Sequence, residues 1–344
     1  MTKVVVFRRP YESGTMKTGL GRYGDGIQRC LGDRSTEAIT MDLSLNKGVF
    51  NLLTNGLIRP FLRLSNVNDR RNVFHATDEL CGILFPFVRG KKVLTVHHVI
   101  TEGEFGRIFT FIWTKITKYS LRKADVIISI SDTTTQDLLS MGADMDRIVT
   151  IDDPVDRIFK RMAIPKGRVI GCVGQLHPRK NMKDAILAFH VLSQMDGMGD
   201  MVLRIVGKGQ EERMLRSYTE DLGISDRVEF VKELDEDGLV GFYNECALIL
   251  NTSLHEGFGL VTLEAQACGT PVLHLEHARI PERVTRMSIP CASPEDMAEK
   301  AYGLLTDGKR YDALSKESEE YVKGFNREFC RRYHSAVFGD NDSS

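Results

Sequence analysis

The chain has 344 residues, 42% of them apolar, and sets 46 Lys plus Arg against 47 Asp plus Glu for a formal charge of -1. That length suffices for two domains with real cores. The composition excludes a disordered or fibrous chain, and the charge balance gives no global electrostatic case for a nucleic-acid partner. Seven widely separated cysteines with no C-x-x-C pair suit a reducing cytoplasm and argue against a structural zinc cluster or a disulfide framework.

MTKVVVFRRP, broken by Arg8 and Arg9, reads as a buried first strand rather than an export signal. No uncharged apolar run approaches the roughly 20 residues that cross a bilayer. Short β-branched runs follow at residues 72–75, 92–97 and 125–129, with spacers long enough for helices, the order of a parallel sheet with crossover connections. The second half repeats the style at 168–173, 201–206, 227–231, 247–250 and 271–273, with helical candidates at 183–194, 211–221, 236–245 and 260–268. The expected fold class is α/β: two doubly wound Rossmann-like domains, residues 1–158 and 159–344, facing across a cleft and joined through the proline- and charge-bearing stretch 152–166. The charged amphipathic stretch 311–338 is expected to be helical, with a return onto the first domain left open.

Two stretches of the second half suit phosphate. VIGCVGQLHPRKNMKDAI runs from a strand through Gly174 into a loop carrying Arg179 and Lys180; glycine admits close approach and a lysine at a strand-to-helix transition neutralises phosphate. A solvated basic loop would use the same residues. NTSLHEGFGLVTLEAQACGTPVL sets Glu256 before Gly257 and Gly259 at a helix start, where free N–H groups receive anions. Glu264, close to two helical turns beyond Glu256, is expected to address the same cleft with a carboxylate suited to a diol; a capping acid and a solvated acid are the bland alternatives.

In the first half, Gly19, Gly21 and Gly24 have the G-x-G-x-x-G spacing but lie displaced from the strand, which weakens a dinucleotide reading. KVLTVHH ends a strand in His97 and His98, which point apart if extended, so no metal site is expected from them. Residues 105–125 mix Phe, Ile and Trp113 with Lys and Arg; packing into the protein is favoured over contact with a membrane or another subunit.

At these residues the chain resembles family 4 of the retaining glycosyltransferases, which has the GT-B fold. Glu256, Gly257, Phe258, Gly259, Leu260 and Glu264 match its E-G-F-G-L-x-x-x-E signature, and residues 267–272 its A-x-G-x-P-V segment. Gly174, Leu176, Pro178 and Lys180 match V-G-R-L-x-P-x-K-G, and Gly207 with Gly209 match V-G-x-G. The resemblance covers nearly the whole second domain and is looser in the first.

It implies a metal-independent transferase whose donor substrate is a nucleotide-diphosphate sugar, with no other cofactor and an unidentified sugar, lipid-linked or other small acceptor. Lys180 would hold the diphosphate with Arg179 beside it, Glu264 the ribose hydroxyls, and Glu256 the transferred sugar. Gly174, Gly207 and residues 257–260 would line the donor site, Gly19 and Gly21 would form a flexible loop near donor and acceptor, and His97 would contact or orient the sugar. The catalytic set is then His97, Glu256 and Lys180. Two departures stand out: Gln175 replaces the family's arginine, and His98 its aspartate after T-x-H. A nucleotide-sugar epimerase or phosphorylase, or an inactive nucleotide-sugar-binding protein, are the alternatives, and a cytoplasmic protein with peripheral membrane contact fits the reading.

Overall fold

The structure, a computed structural model of the chain, describes residues 2–9, 19–31, 36–42, 51–97, 99 and 106–339. They divide into two compact units: one runs to Pro154 and resumes at Arg327, the other is Val155–Asn326.

In the first unit the order is β1 (Val4–Arg8), α1 (Gly19–Leu31), β2 (Thr36–Thr40), a π-helical turn at Leu52–Ile58 running into α2 (Arg59–Val67), β3 (Val73–Ala76), a 3-10 helix at Cys81–Phe87, β4 (Lys91–Val96), α3 (Arg107–Lys123), β5 (Val126–Ser129), α4 (Asp132–Ser140) and β6 (Ile148–Thr150). The strands form one parallel sheet in the order β2-β1-β3-β4-β5-β6. Alternate side chains of a strand point to opposite faces. Val5 and Phe7 accordingly join a core with Leu64, Phe85 and Leu138, while Val4 and Val6 join another with Tyr23, Ile27, Phe329 and Tyr333. Both faces are apolar because helices cover both, which is why the central strands read as continuous apolar runs.

The second unit continues with β7 (Val169–Val173), α5 (Met182–Leu192), β8 (Val202–Val206), α6 (Glu212–Asp221), β9 (Val228–Val231), α7 (Glu236–Glu245), β10 (Leu248–Asn251), α8 (Leu260–Ala267), β11 (Val272–Leu275), α9 (Glu282–Thr285), β12 (Ile289–Cys291) and α10 (Pro294–Thr306). Its parallel order is β12-β11-β10-β7-β8-β9. Caps fix the helix starts: Asp235 accepts from Gly238 N at 2.7 Å before α7, and Ser293 from Asp296 N at 3.2 Å before α10. Three strands escape the sequence reading, β2, β6 and β12, and all are edge strands. An edge strand packs less, so TEAIT buries only Ile39, and IPC tolerates Pro290.

Helix α11 (Gly308–Phe338) belongs to the second unit as far as Asn326 and to the first from Arg327. In the first unit its end is held by the buried Tyr333, whose hydroxyl meets His75 Nδ1 at 2.8 Å, and by Lys91 Nζ, which donates to the carbonyls of Ala336 and Val337 at 2.9 and 2.8 Å. The expectation that the cysteines form no disulfide needs one correction: Cys30 of α1 and Cys330 of α11 are bonded, their Cα atoms 5.1 Å apart. Their separation in sequence hides a pairing that the packing of α11 on α1 creates. No helix among the described residues is long and apolar enough to cross a membrane.

Candidate functional site

In a doubly wound sheet a ligand crevice opens beyond the carboxyl ends of the strands where the strand order reverses. In the second unit that point lies between β7 and β10, which are hydrogen-bonded neighbours. The loops that follow them, residues 174–181 and 252–259, therefore start side by side. They are tied together: Leu254 N donates to the Arg179 carbonyl at 2.9 Å, and Thr252 Oγ1 to the Lys180 carbonyl at 3.2 Å.

Glycine makes this proximity possible. A Cβ on Gly207 would collide with the carbonyl oxygen of Gly174, and one on Gly209 with that of Leu176. Gly207 is thus required by backbone packing around the first loop. Gly174 lies under Lys180, where a Cβ would stand 3.2 Å from Cδ and Cε of the lysine.

Lys180 Nζ donates to Glu256 Oε1, while Arg179 Nη1 donates to Glu256 Oε2 at 3.1 Å and to the His255 carbonyl at 2.7 Å. The structure thus brings Arg179, Lys180 and Glu256 onto one point. Burial alone would push the Glu256 carboxyl up, but the two cations outweigh it and hold the group below the usual carboxylate range. A buried carboxylate with two cationic partners is fully ionised at neutral pH, and the cations are preorganised for an anion.

The spacing argument for Glu256 and Glu264 is corrected by the helix start. Helix α8 begins at Leu260 after Gly259 at φ 108°, so Glu256 lies in the loop and only Glu264 is helical. Gly259 is needed there, since left-handed backbone disfavours a side chain and a Cβ would stand 3.2 Å from Val284 Cγ1. Glu264 is buried, and its Oε2 accepts a 2.9 Å hydrogen bond from the Tyr243 hydroxyl of α7. Phe258 is buried edge-on to Phe325, ring centres 6.2 Å apart, so its side chain packs the unit; Gly257 and Leu260 are half-buried beside it.

In the first unit His97 follows β4. Its Nε2 lies 3.1 Å from the Thr77 carbonyl and its Nδ1 3.4 Å from Asp153 Oδ2. Both positions face acceptors, a pattern that suits the imidazolium, which donates from both nitrogens. Burial pulls the ring's pKa down, Asp153 outweighs it, and the result is raised. The resemblance expects an acid directly after the histidine; here the carboxylate comes from Asp153. Asp78 and Glu79 add negative charge, Asp78 paired with Arg9 at 2.7 Å, and burial with Asp78 nearby pushes Glu79 up to about 7. His75, fully buried between Tyr333 and Thr95, is pushed down to about 3 by burial and by His97.

Gly19 and Gly21, expected in a flexible loop, lie instead in the first turn of α1; residues 10–18 and His98 lie outside the described residues. Gln175 is exposed. Among the described residues no group of three His, Cys, Asp or Glu side chains could hold a metal. Sequence reasoning missed Tyr243, which no motif marks, and Asp153, which reads only as linker charge.

Residues 155–321, nearly all of the second unit, match the family model described as Glycosyl transferases group 1. Over that unit the chain is similar to this family. The D-inositol 3-phosphate glycosyltransferase of Corynebacterium jeikeium is 29% identical to it over 226 residues, 59% of this chain and 54% of that protein. The protein of the same name from Acidothermus cellulolyticus is 35% identical over 169 residues, 44% of this chain and 38% of that protein. The chain therefore spans about half or less of the length of these curated relatives. Sucrose-phosphate synthase from Thermosynechococcus elongatus aligns with TM-score 0.75 and 16% identity over 97% of this chain and 99% of that one. Anabaena HepE in complex with UDP and glucose aligns with TM-score 0.70 and 15% identity over 97% of this chain and 100% of that one. At these identities the likeness speaks to the fold, which is GT-B: two doubly wound α/β domains.

Proposed function

We propose that the protein transfers a glycosyl group, with retention of anomeric configuration, from a nucleoside diphosphate sugar to a hydroxyl of a sugar, lipid-linked or other small acceptor. The observation that carries this reading is the convergence of Lys180 and Arg179 on Glu256 at the switch point of the second sheet. A diphosphate entering there exchanges with the carboxylate for the two cations, and the loop of Gly257 and Gly259 at the start of α8 supplies N–H donors for the same anion. Glu264, oriented by Tyr243, is suited to accept the ribose hydroxyls.

The acceptor oxygen attacks the anomeric carbon from the face that the diphosphate leaves. The carbon–oxygen bond to the β-phosphate breaks as the new glycosidic bond forms, and the acceptor proton passes to a departing phosphate oxygen. Lys180 and Arg179 stabilise the charge that accumulates on the diphosphate, and Glu256, released from them, positions sugar hydroxyls. His97 is held in a fixed orientation by the Thr77 carbonyl and Asp153. This chemistry needs no metal, because the cations and N–H groups meet the leaving charge.

The relatives' names make a phosphorylated inositol one acceptor to include, and the UDP-bound neighbour puts uridine nucleotides first among donors. Titration calorimetry with UDP-, GDP- and ADP-sugars tests the site. One donor class is expected to bind, with affinity at least about tenfold weaker in Lys180→Ala and in Glu264→Gln at unchanged melting temperature. Absence of binding by every donor, or affinity in both variants unchanged from that of the unaltered protein, refutes it.

A further inference from the structure

The large apolar side chains that the protein exposes are concentrated in the first unit. Ile108, Phe111 and Ile112 in the first half of α3 are 80%, 64% and 53% exposed. Phe61 and Leu62 of α2 and Phe87 are likewise more than half exposed, with Phe61 and Phe87 edge to face at 5.3 Å. These elements are neighbours: α3 packs along the 3-10 helix that ends in Phe87, and Ser120 Oγ of α3 donates to the Glu79 carbonyl just before that helix at 2.7 Å. The sequence expectation that α3 packs its apolar residues inward holds only for part of the helix, where Leu121 is buried.

Charge accompanies this surface. Helix α3 carries Arg107, Lys115, Lys118, Arg122 and Lys123 and no acid, and α2 carries Arg59 and Arg63 and no acid. Among the described residues no ion pair involves Lys115, Lys118 or Arg122, although Lys115 Nζ sits 5.3 Å from the Phe111 ring centre. Nearly neutral overall, the protein thus gathers cations with no ion-pair partner among the described residues around exposed aromatic and aliphatic side chains. That pairing distinguishes a lipid surface from a protein partner of unspecified charge: apolar side chains enter the acyl boundary while flanking cations meet anionic headgroups.

We propose that the first unit docks on an anionic bilayer surface through the first half of α3, the adjoining α2 and Phe87, with Lys115, Lys118 and Arg122 facing the headgroups. The attachment is peripheral and reversible, set by shallow insertion and by salt-sensitive attraction. It rests on this surface alone and stands or falls independently of the donor site.

The test is cosedimentation of the full chain with phosphatidylcholine vesicles and with vesicles containing equal parts phosphatidylglycerol and phosphatidylcholine, at low and high salt. Binding is expected only to the anionic vesicles, weakening as salt rises. Phe111→Glu with Ile112→Glu, and separately Lys118→Glu with Arg122→Glu, should each reduce partitioning at least about tenfold while leaving the melting temperature unchanged. The charge-reversal pair, exposed on the helix, keeps the test open if the first pair misfolds. Equal binding to both vesicle types, no binding to either, or partitioning unaltered by charge reversal overturns the proposal. So does a concentration-dependent dimer in sedimentation equilibrium that Phe111→Glu dissolves, which would assign the surface to a second copy of the chain.

Discussion

Glu256 and His97 are both buried ionisable groups with an ion-pair partner, but their surroundings differ in what they leave available. Glu256 holds two basic side chains that an incoming anion can recruit, whereas His97 is bracketed by a carbonyl and by Asp153. The pKa of His97 is raised in the fold, so its contribution to stability is fully present below the unfolded value near 6.5 and is lost as pH rises through the folded value. Asp153→Asn removes the anion and leaves burial to act alone, so the His97 ring is expected to titrate at lower pH than in the unaltered protein. Histidine ring NMR across pH 5 to 9 reads this directly, and an unchanged titration would show that Asp153 does not govern the ring. At this scale the sequence marked Lys180, Glu256 and Glu264 because glycines and a strand-to-helix transition frame them. It could not mark Asp153 or Tyr243, whose roles depend on contacts that no local pattern encodes.

Strands buried on both faces were legible as β-branched runs, and four of the second unit's helices, α5 to α8, match the stretches read between them, whereas α9 and α10 were not read. The edge strands β2, β6 and β12 were not, because a half-covered strand needs fewer apolar residues. Glycine positions separate in the same physical way. Gly207 lies against another backbone, where a side chain has nowhere to go, so Gly207→Ala is expected to cost about 2 kcal/mol or more. Gly241 in α7 has open space where a Cβ would stand, so Gly241→Ala is expected to raise stability by about 0.5–1 kcal/mol. Urea unfolding of the two variants should move the midpoint in opposite directions; parallel shifts would mean that the close approach at Gly207 does not constrain the loop.

Across the whole molecule, one helix serves both units, and its last part completes the first unit's core through Phe329 and Tyr333. The disulfide joins residues 300 positions apart, so it restricts the unfolded chain over most of its length, and its loss is expected to cost about 2–5 kcal/mol. Thermal unfolding should fall on addition of dithiothreitol, and Cys30→Ser should melt at the reduced protein's temperature with no response to the reagent. A melt indifferent to reduction would mean that helix packing alone fixes the end of α11.

The central claim is glycosyl transfer from a nucleoside diphosphate sugar, and its most direct test is release of nucleoside diphosphate from a donor panel with and without candidate acceptors, among them phosphorylated inositols. The account predicts release that depends on acceptor, yields a glycoside with the donor's anomeric configuration, and falls at least about a hundredfold in Lys180→Ala. Release that needs no acceptor, a product of inverted configuration, or full turnover without Lys180 would contradict it.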